Sequence, residues 1–426
     1  MRFAMKKKTK KRLLITLAVL VVLAAAIAYF LPVGLIIHTL RVFSTGDYDV
    51  TEVRLDDTIH FVMDGSFMKF KAEVNGKPDT VIYDSGVSAM MAMMFTPSTK
   101  PEGMKFYRHR VTGADKKSRI KSTTLAVTIG TDRVSNTGVG LAILNPEPPL
   151  CAKYSISDHH LLGSESLNIG HYKLDFTNRE ITFIPYSEPV DTAGFVPIKC
   201  AMKRRTLWVY PQINGVEYEC IFDTGNGNAG FLLVDEQRIK NPRVNDCVYE
   251  GSYGISIGGQ ASKQRFVRTP HETFGLGGVE KETEITYVKD LPFNNMGLKA
   301  ISQFDWIVSA KKNGPVVYVR PHVADEKPSF DAFRYKFLVS DGKLNIITRL
   351  LDGNEKYKVG DQIISVDGET ITEENICYYY DLLTESKDWS ELEIEVKKAA
   401  ASGPSLKTKS NTLKSGAKGN LVPKTW

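Results

Sequence analysis

The sequence predicts a mainly β protein, with two β lobes of similar size, a small α+β domain after them and an apolar helix before them. Three observations predict this. A 13-residue segment occurs twice without a gap, 139 residues apart, as VNGKPDTVIYDSG at 74–86 and INGVEYECIFDTG at 213–225. The residues around both copies are rich in Val, Thr, Ile and Gly in short alternations, which is the pattern of strands. After Pro321 the composition changes, and a separate pattern of strands with one helical stretch begins.

The chain opens with a basic arm, residues 1–12, which holds seven Lys and Arg and no acid. Leu13 to Ile37 follows and is almost entirely apolar. Twenty-five helical residues span roughly 37 Å, enough for a bilayer core of roughly 30 Å. The basic flank stays cytoplasmic, so a single-pass anchor over 13–37 puts everything after residue 45 on the extracytoplasmic side, periplasmic or cell-surface. Ala26-Ile27-Ala28 has the small-x-small form of a signal-peptide cleavage site, so a cleaved leader is the rival reading. Against cleavage, the apolar run continues through Leu35-Ile36-Ile37. A buried core helix fits poorly, because the run has no polar face.

Composition bounds the rest. The chain has 426 residues, 42% apolar and 24% charged, which is ordinary globular composition with length for two or three domains. The net charge of +6 is a property of its ends. Five lysines lie in the tail at 401–426, and without the two basic arms the middle carries −6. No basic face is implied for the folded part, which disfavours a nucleic-acid partner. The five cysteines (Cys151, Cys200, Cys220, Cys247 and Cys377) form no CxxC pair, which disfavours a zinc or redox motif. They allow one disulfide without saying which, and an odd number leaves at least one free thiol.

Each repeat copy has the same grammar. A short alternating strand comes first, Met68 to Val74 or Trp208 to Ile213. An Asn-Gly hairpin signal follows. An apolar strand then runs into Asp84-Ser85-Gly86 or Asp223-Thr224-Gly225. A second pair of segments lies further on: His160-Leu161-Leu162-Gly163 ends 79 residues beyond Asp84, and Gly297-Leu298-Lys299-Ala300 ends 77 beyond Asp223. A helix-like stretch and a strand follow each, closing at Pro185 and Pro321. The lobes are expected at 48–190 and 195–322.

A strand ending in Asp-[Ser/Thr]-Gly, followed by an apolar-apolar-Gly segment and a short helix, resembles the pepsin- and retropepsin-type aspartic proteases. With both copies in one chain, an anchor and the C-terminal domain below, the sequence resembles single-chain bacterial retropepsin-like proteins that carry a PDZ domain, over about residues 50–398. The resemblance implies two pepsin/retropepsin-like lobes forming a cleft, peptide hydrolysis, and no cofactor. It makes Asp84 and Asp223 the catalytic pair, with Ser85, Gly86, Thr224 and Gly225 supporting their loops. In the family the hydroxyl after each Asp bonds across to the opposite lobe's loop.

The chemistry wants these residues. Two carboxylates held close cannot both ionise, so the pair shares one proton. The ionised member takes a proton from water while the protonated member polarises the scissile carbonyl. Glycine lets each loop turn tightly and offers amide hydrogens to the carboxylate. Two departures from the family pattern stand in the second copy: Asn226-Gly227 follows the motif, and Ala300 stands where the second segment should have glycine. Flap hairpins are expected at Arg110 to Lys117 or Tyr253 to Gly259.

Other motifs are set aside. Gly275-Leu276-Gly277-Gly278 lacks the strand-to-helix context of a phosphate loop. His159, His160 and His171 lack the spacing of a metal site. Ser164 and Ser166 lack a nucleophile elbow.

Pro321 to Pro328 reads as a linker. Beyond it, Tyr357 to Gly368 contains Gly360-Asp361 opening a strand and Gly368 closing a turn, and Glu373 to Glu385 suits a helix. This resembles a PDZ domain, expected at 329–398. Such domains bind a peptide's C-terminus by adding a strand to a sheet edge. The nearest match to their carboxylate loop, Tyr335 to Val339, has no glycine. The tail 401–426 reads as disordered. Two functions follow: an aspartic endopeptidase acting on protein or peptide substrates, or a catalytically inactive membrane-tethered scaffold that holds a partner.

Overall fold

Each repeat copy folds as a hairpin whose turn the sequence dictates. Asn75 and Gly76 have φ of 51° and 74°, and Asn214 and Gly215 have 49° and 79°. Two consecutive positive φ values make the turn whose twist suits a hairpin, and Asn-Gly tolerates them best. Phe67–Val74 therefore pairs with Lys77–Asp84, and Gln212–Ile213 with Val216–Glu217. Lys77–Asp84 starts exposed and ends fully buried, so Asp84 is delivered into the interior.

The computed structural model describes residues 15–23 and 25. From 49 to 399 it describes all but 54–56, 65, 90, 111–118, 131–133, 145–150, 152–158, 165–169, 204, 228, 257–258, 310, 312–313, 323–329, 331 and 386–391. The described residues are mainly β, in two large sheets. Residues 15–23 are helical and exposed, and the rest of the apolar run at 13–37, apart from residue 25, lies outside the described residues. No helix among the described residues is long and apolar enough to cross a membrane. The basic arm 1–12, the linker centre 323–329 and the tail 401–426 also lie outside them.

The repeat persists in three dimensions. In the first half the strands run in the order Lys77–Asp84, His160–Gly163, Met91–Phe95, Val134–Leu144, Arg119–Gly130, Tyr107–Arg110. In the second half the order is Cys220–Phe222, Asn294–Met296, Phe231–Val234, Val279–Val288, Gln264–Leu276, Cys247–Gly251. Relative directions match at every step: parallel, antiparallel, parallel, antiparallel, antiparallel.

The two halves share six strands, in the order Val196–Ile198, Val316–Pro321, Phe304–Ser309, His171–Asp175, Glu180–Ile184, Asp57–Asp64. The junction is the central pair, where Leu174 faces Trp306 and His171 faces Ser309. Trp306 is fully buried, and its indole N–H donates to the Ile301 carbonyl at 2.8 Å. Its ring meets Phe222 edge-on at 4.8 Å, a pairing worth about 0.5–1.5 kcal/mol beyond area burial. One core cluster runs through both halves, from Phe61 and Tyr172 to Phe231 and Phe274. The Phe176 N–H donates to the buried Asp305 carboxylate at 2.9 Å, and Arg320 closes on the same carboxylate at 2.7 Å.

The C-terminal module has its own core, built from Tyr335, Phe337, Leu344, Ile346, Ile363, Leu383 and their neighbours. Asp361 organises it. Its carboxylate accepts from the Lys358 N–H at 2.9 Å and the Ala399 N–H at 3.0 Å, bonds that hold it below the usual carboxylate range. The module also joins the second half through strand pairing. Its strand Lys343–Leu350 pairs with Cys247–Gly251 of the second half, so the second sheet continues into it. Arg349 grips Glu250 with two N–H donors, at 2.7 and 3.1 Å. Cys151, from the first half, is bonded to Cys377 on the module's helix Ile376–Glu385.

Cys200, Cys220 and Cys247 remain thiols. Alkylation of the denatured, non-reduced protein followed by mass spectrometry should count three thiols, and five after reduction. Cys377→Ser should lower unfolding stability by about 2–4 kcal/mol in denaturant titrations, as expected for a long loop left open. Five alkylated thiols without reduction would contradict the pairing.

Candidate active site

Asp84 is the last residue of its strand, and Asp223 directly follows Cys220–Phe222. Each then enters the same tight turn: the Val87 N–H returns to the Asp84 carbonyl at 3.2 Å, and the Asn226 N–H to the Asp223 carbonyl at 3.3 Å. Within each turn the glycine N–H reaches its own repeat's carboxylate, Gly86 to Asp84 Oδ1 at 3.1 Å and Gly225 to Asp223 Oδ1 at 3.0 Å.

Ser85 and Thr224 lock the two turns together. The Ser85 hydroxyl donates to the Phe222 carbonyl at 2.8 Å, and the Thr224 hydroxyl to the Tyr83 carbonyl at 2.8 Å. In return the Thr224 N–H donates to Ser85 Oγ and the Ser85 N–H to Thr224 Oγ1, both at 3.0 Å. Neither residue has measurable exposure. Each of these polar groups is buried and costly to leave unpaired, so both halves must be present to satisfy either one.

The grip brings the carboxylates of Asp84 and Asp223 within hydrogen-bonding reach of each other. A Cβ on Gly86 would overlap the Asp223 carboxylate, and one on Gly225 would overlap that of Asp84. Glycine is therefore required at both positions by the approach of the opposite acid. All six residues singled out in the sequence, Asp84, Ser85, Gly86, Asp223, Thr224 and Gly225, lie at one place.

Burial, with the Asp223 charge adding to it, pushes Asp84 well above the ordinary carboxylate range. Burial pushes Asp223 up as well, but the Asn295 amide and the Gly225 N–H pull it back.

The second segment corrects one expectation. Asp84 pairs in register with Gly163. In the second half Phe222 pairs with Met296, and the Asp223 N–H donates to the Met296 carbonyl at 3.0 Å. The counterpart of Gly163 is therefore Gly297, and Ala300 lies in the helix Leu298–Ile301 that follows. Both glycines do the same work: a Cβ on Gly163 would overlap the Ala89 and Val87 carbonyls, and one on Gly297 those of Ala229 and Asn226. Gly227 also has a cause, since a Cβ there would overlap the Ser66 carbonyl across the junction. Across the same junction, the Ser164 hydroxyl donates to the Arg205 carbonyl at 2.6 Å.

One contact was missed in the sequence. Asn295 donates from Nδ2 to Asp223 Oδ2, and Asn226 donates to Asn295 Oδ1 at 2.8 Å. The only trace was a pair of Asn residues, Asn294-Asn295, where the first half has His160-Leu161. Of the flap candidates, the first begins at Arg110, the last residue of the strand Tyr107–Arg110, and its residues 111–117 lie outside the described ones. The second, Tyr253 to Gly259, includes Ile255–Ser256, which pairs antiparallel with Gly259–Gln260. No family model matches the chain, and no curated protein matches it in sequence.

Two outcomes follow, one from the raised Asp84 and one from the approach of its carboxylate to Gly225. A carboxylate whose folded pKa is raised supports the fold fully below its unfolded pKa, and that support is lost as pH rises through the folded value. Asp84→Asn should therefore have a higher melting temperature than the wild type at neutral pH, with the gap closing on acidification. Thermal melts from pH 3 to 8 check this; a gap independent of pH would contradict it. Gly225→Ala should lose about 1–3 kcal/mol of stability from overpacking against Asp84.

Proposed function

We propose that this chain is a membrane-anchored aspartic endopeptidase, with two pepsin/retropepsin-like lobes forming a substrate cleft and a PDZ-like domain attached. The observation that carries the reading is the shared reach of Asp84 and Asp223, enforced by the reciprocal Ser85 and Thr224 bonds. One acid comes from each repeat, so an extended peptide lying between the halves meets both at once.

The reaction needs no group beyond these acids. The ionised carboxylate takes a proton from water as the water oxygen bonds to the scissile carbonyl carbon. The protonated carboxylate gives its proton to the carbonyl oxygen, which yields a diol. On collapse, the carboxylate that received the water's proton passes it to the departing nitrogen. The other carboxylate recovers its proton from a diol hydroxyl, and the carbon–nitrogen bond breaks. Water has then been added across the peptide bond, and the dyad is returned with one proton. Burial strengthens each of these electrostatic interactions.

The anchor over 13–37 leaves the lobes on the extracytoplasmic side. The Cys151–Cys377 disulfide agrees with an oxidising compartment there. In the PDZ-like domain the helix Ile376–Glu385 packs on Tyr335–Ser340 and Lys343–Leu350. This strand–helix arrangement suits a peptide's C-terminus.

A peptide-library digestion by the full chain in detergent, from pH 3 to 8, tests the reading. Cleavage is expected, and Asp84→Asn and Asp223→Asn should each reduce kcat/KM by roughly 10²–10⁴-fold. A folded wild type that cuts no peptide would sink the proposal in favour of the non-catalytic scaffold.

A further inference from the structure

Among the differences between the two repeats at the site, two touch each other. Register fixes the correspondence. Ile82 pairs with Leu161 in the first half, and Ile221 pairs with Asn295 in the second. Leu161 is fully buried in an apolar cluster that Val87 joins. The second half has Asn295 in place of Leu161 and Asn226 in place of Val87.

The pair forms a relay to one acid. Asn226 Nδ2 donates to Asn295 Oδ1 at 2.8 Å, and Asn295 Nδ2 donates to Asp223 Oδ2. The NH2 end of Asn295 faces Asp223, the orientation that an ionised, acceptor-only carboxylate requires. Asn226 then satisfies the other end. With Gly225 on Oδ1, both oxygens of Asp223 accept a hydrogen bond. Among the described residues the Asp84 carboxylate accepts from backbone, at Gly86, and apolar Leu161 stands where Asp223 has an amide. Among the described residues, the titratable groups that act on the dyad are the two carboxylates themselves, and the charge of Asp84 in turn raises the buried Tyr83 hydroxyl.

We propose that Asn295, braced by Asn226, is a positioning residue that divides the labour of the dyad: Asp223 is held as the ionised base and Asp84 carries the shared proton. A donor aimed at a carboxylate favours its charged form. Burial without such a side-chain donor favours the neutral form, and the Leu161 position beside Asp84 offers none where Asn295 donates to Asp223. Substitutions that look like erosion of the second motif are in this account one device that breaks the symmetry of the pair. The assignment rests on the endopeptidase reading for its consequence, but the proton's location can be measured without turnover.

The test is to symmetrise the site in the full chain with Asn295→Leu and Asn226→Val. Losing the donor makes Asp223 harder to ionise. At the acidic end of the wild-type pH profile kcat/KM should therefore fall roughly tenfold or more, the worth of a hydrogen bond to a charged group. At the profile maximum it should change much less. Asn226→Val should shift the acidic limb in the same direction by less. A uniform loss at every pH, or an unchanged profile, would overturn the proposal. The second readout is carbon-13 NMR of aspartate-labelled protein in micelles, with signals assigned by Asp84→Asn and Asp223→Asn. Asp223 should ionise before Asp84 in the wild type, and the order should be lost or narrowed in Asn295→Leu. The reverse order in the wild type would overturn the assignment. Wild type that shows the expected order but cuts no peptide would leave the positioning intact and remove only the proteolysis.

Discussion

Four hydrogen bonds between two adjacent turns hold this molecule's organisation in place. The Ser85 and Thr224 side chains each satisfy a backbone carbonyl of the opposite repeat, and each accepts the opposite N–H. These groups have no water available, so neither half can be complete alone. The same crossing brings Asp84 and Asp223 together and makes glycine the residue that fits at 86 and 225. The central strand pair at Leu174 and Trp306 and the Asp305 contact to Phe176 reinforce the union at the base.

A symmetric frame carrying an asymmetric pair of acids is what the chemistry of one shared proton calls for. The frame matches strand by strand through both halves. The asymmetry enters through Asn226 and Asn295, beside only one of the acids. The second half also differs in its outer strand, since Cys247–Gly251 is extended by the C-terminal module, whereas among the described residues its counterpart Tyr107–Arg110 ends its sheet. The disulfide ties that module back to the first half, so it contacts both sides of the frame.

The hairpins and the two acids were legible in the sequence because short-range rules govern them. Asn-Gly fixes each turn locally, and the unbroken offset of 139 carries through both motifs. Legibility stopped where the loops between motif and second segment differ in length. Gly163 lies 79 residues past Asp84, whereas Gly297 lies 74 past Asp223. The residue at a matching distance past Asp223 is therefore close to Ala300, inside a helix. Asn295 was unreadable for another reason: a polar residue in a buried strand is explained only by its partner, and that partner is 72 residues away. The join between Cys247–Gly251 and the module left no composition signal either, since strand pairing across a linker depends on register and not on residue type.

The repeats close into one site through Ser85 and Thr224. A double-mutant cycle measures that coupling directly, with Ser85→Ala, Thr224→Val and the double variant unfolded in denaturant. A coupling energy of about 0.5–3 kcal/mol is predicted for side chains sharing one buried network. Strictly additive losses would contradict it.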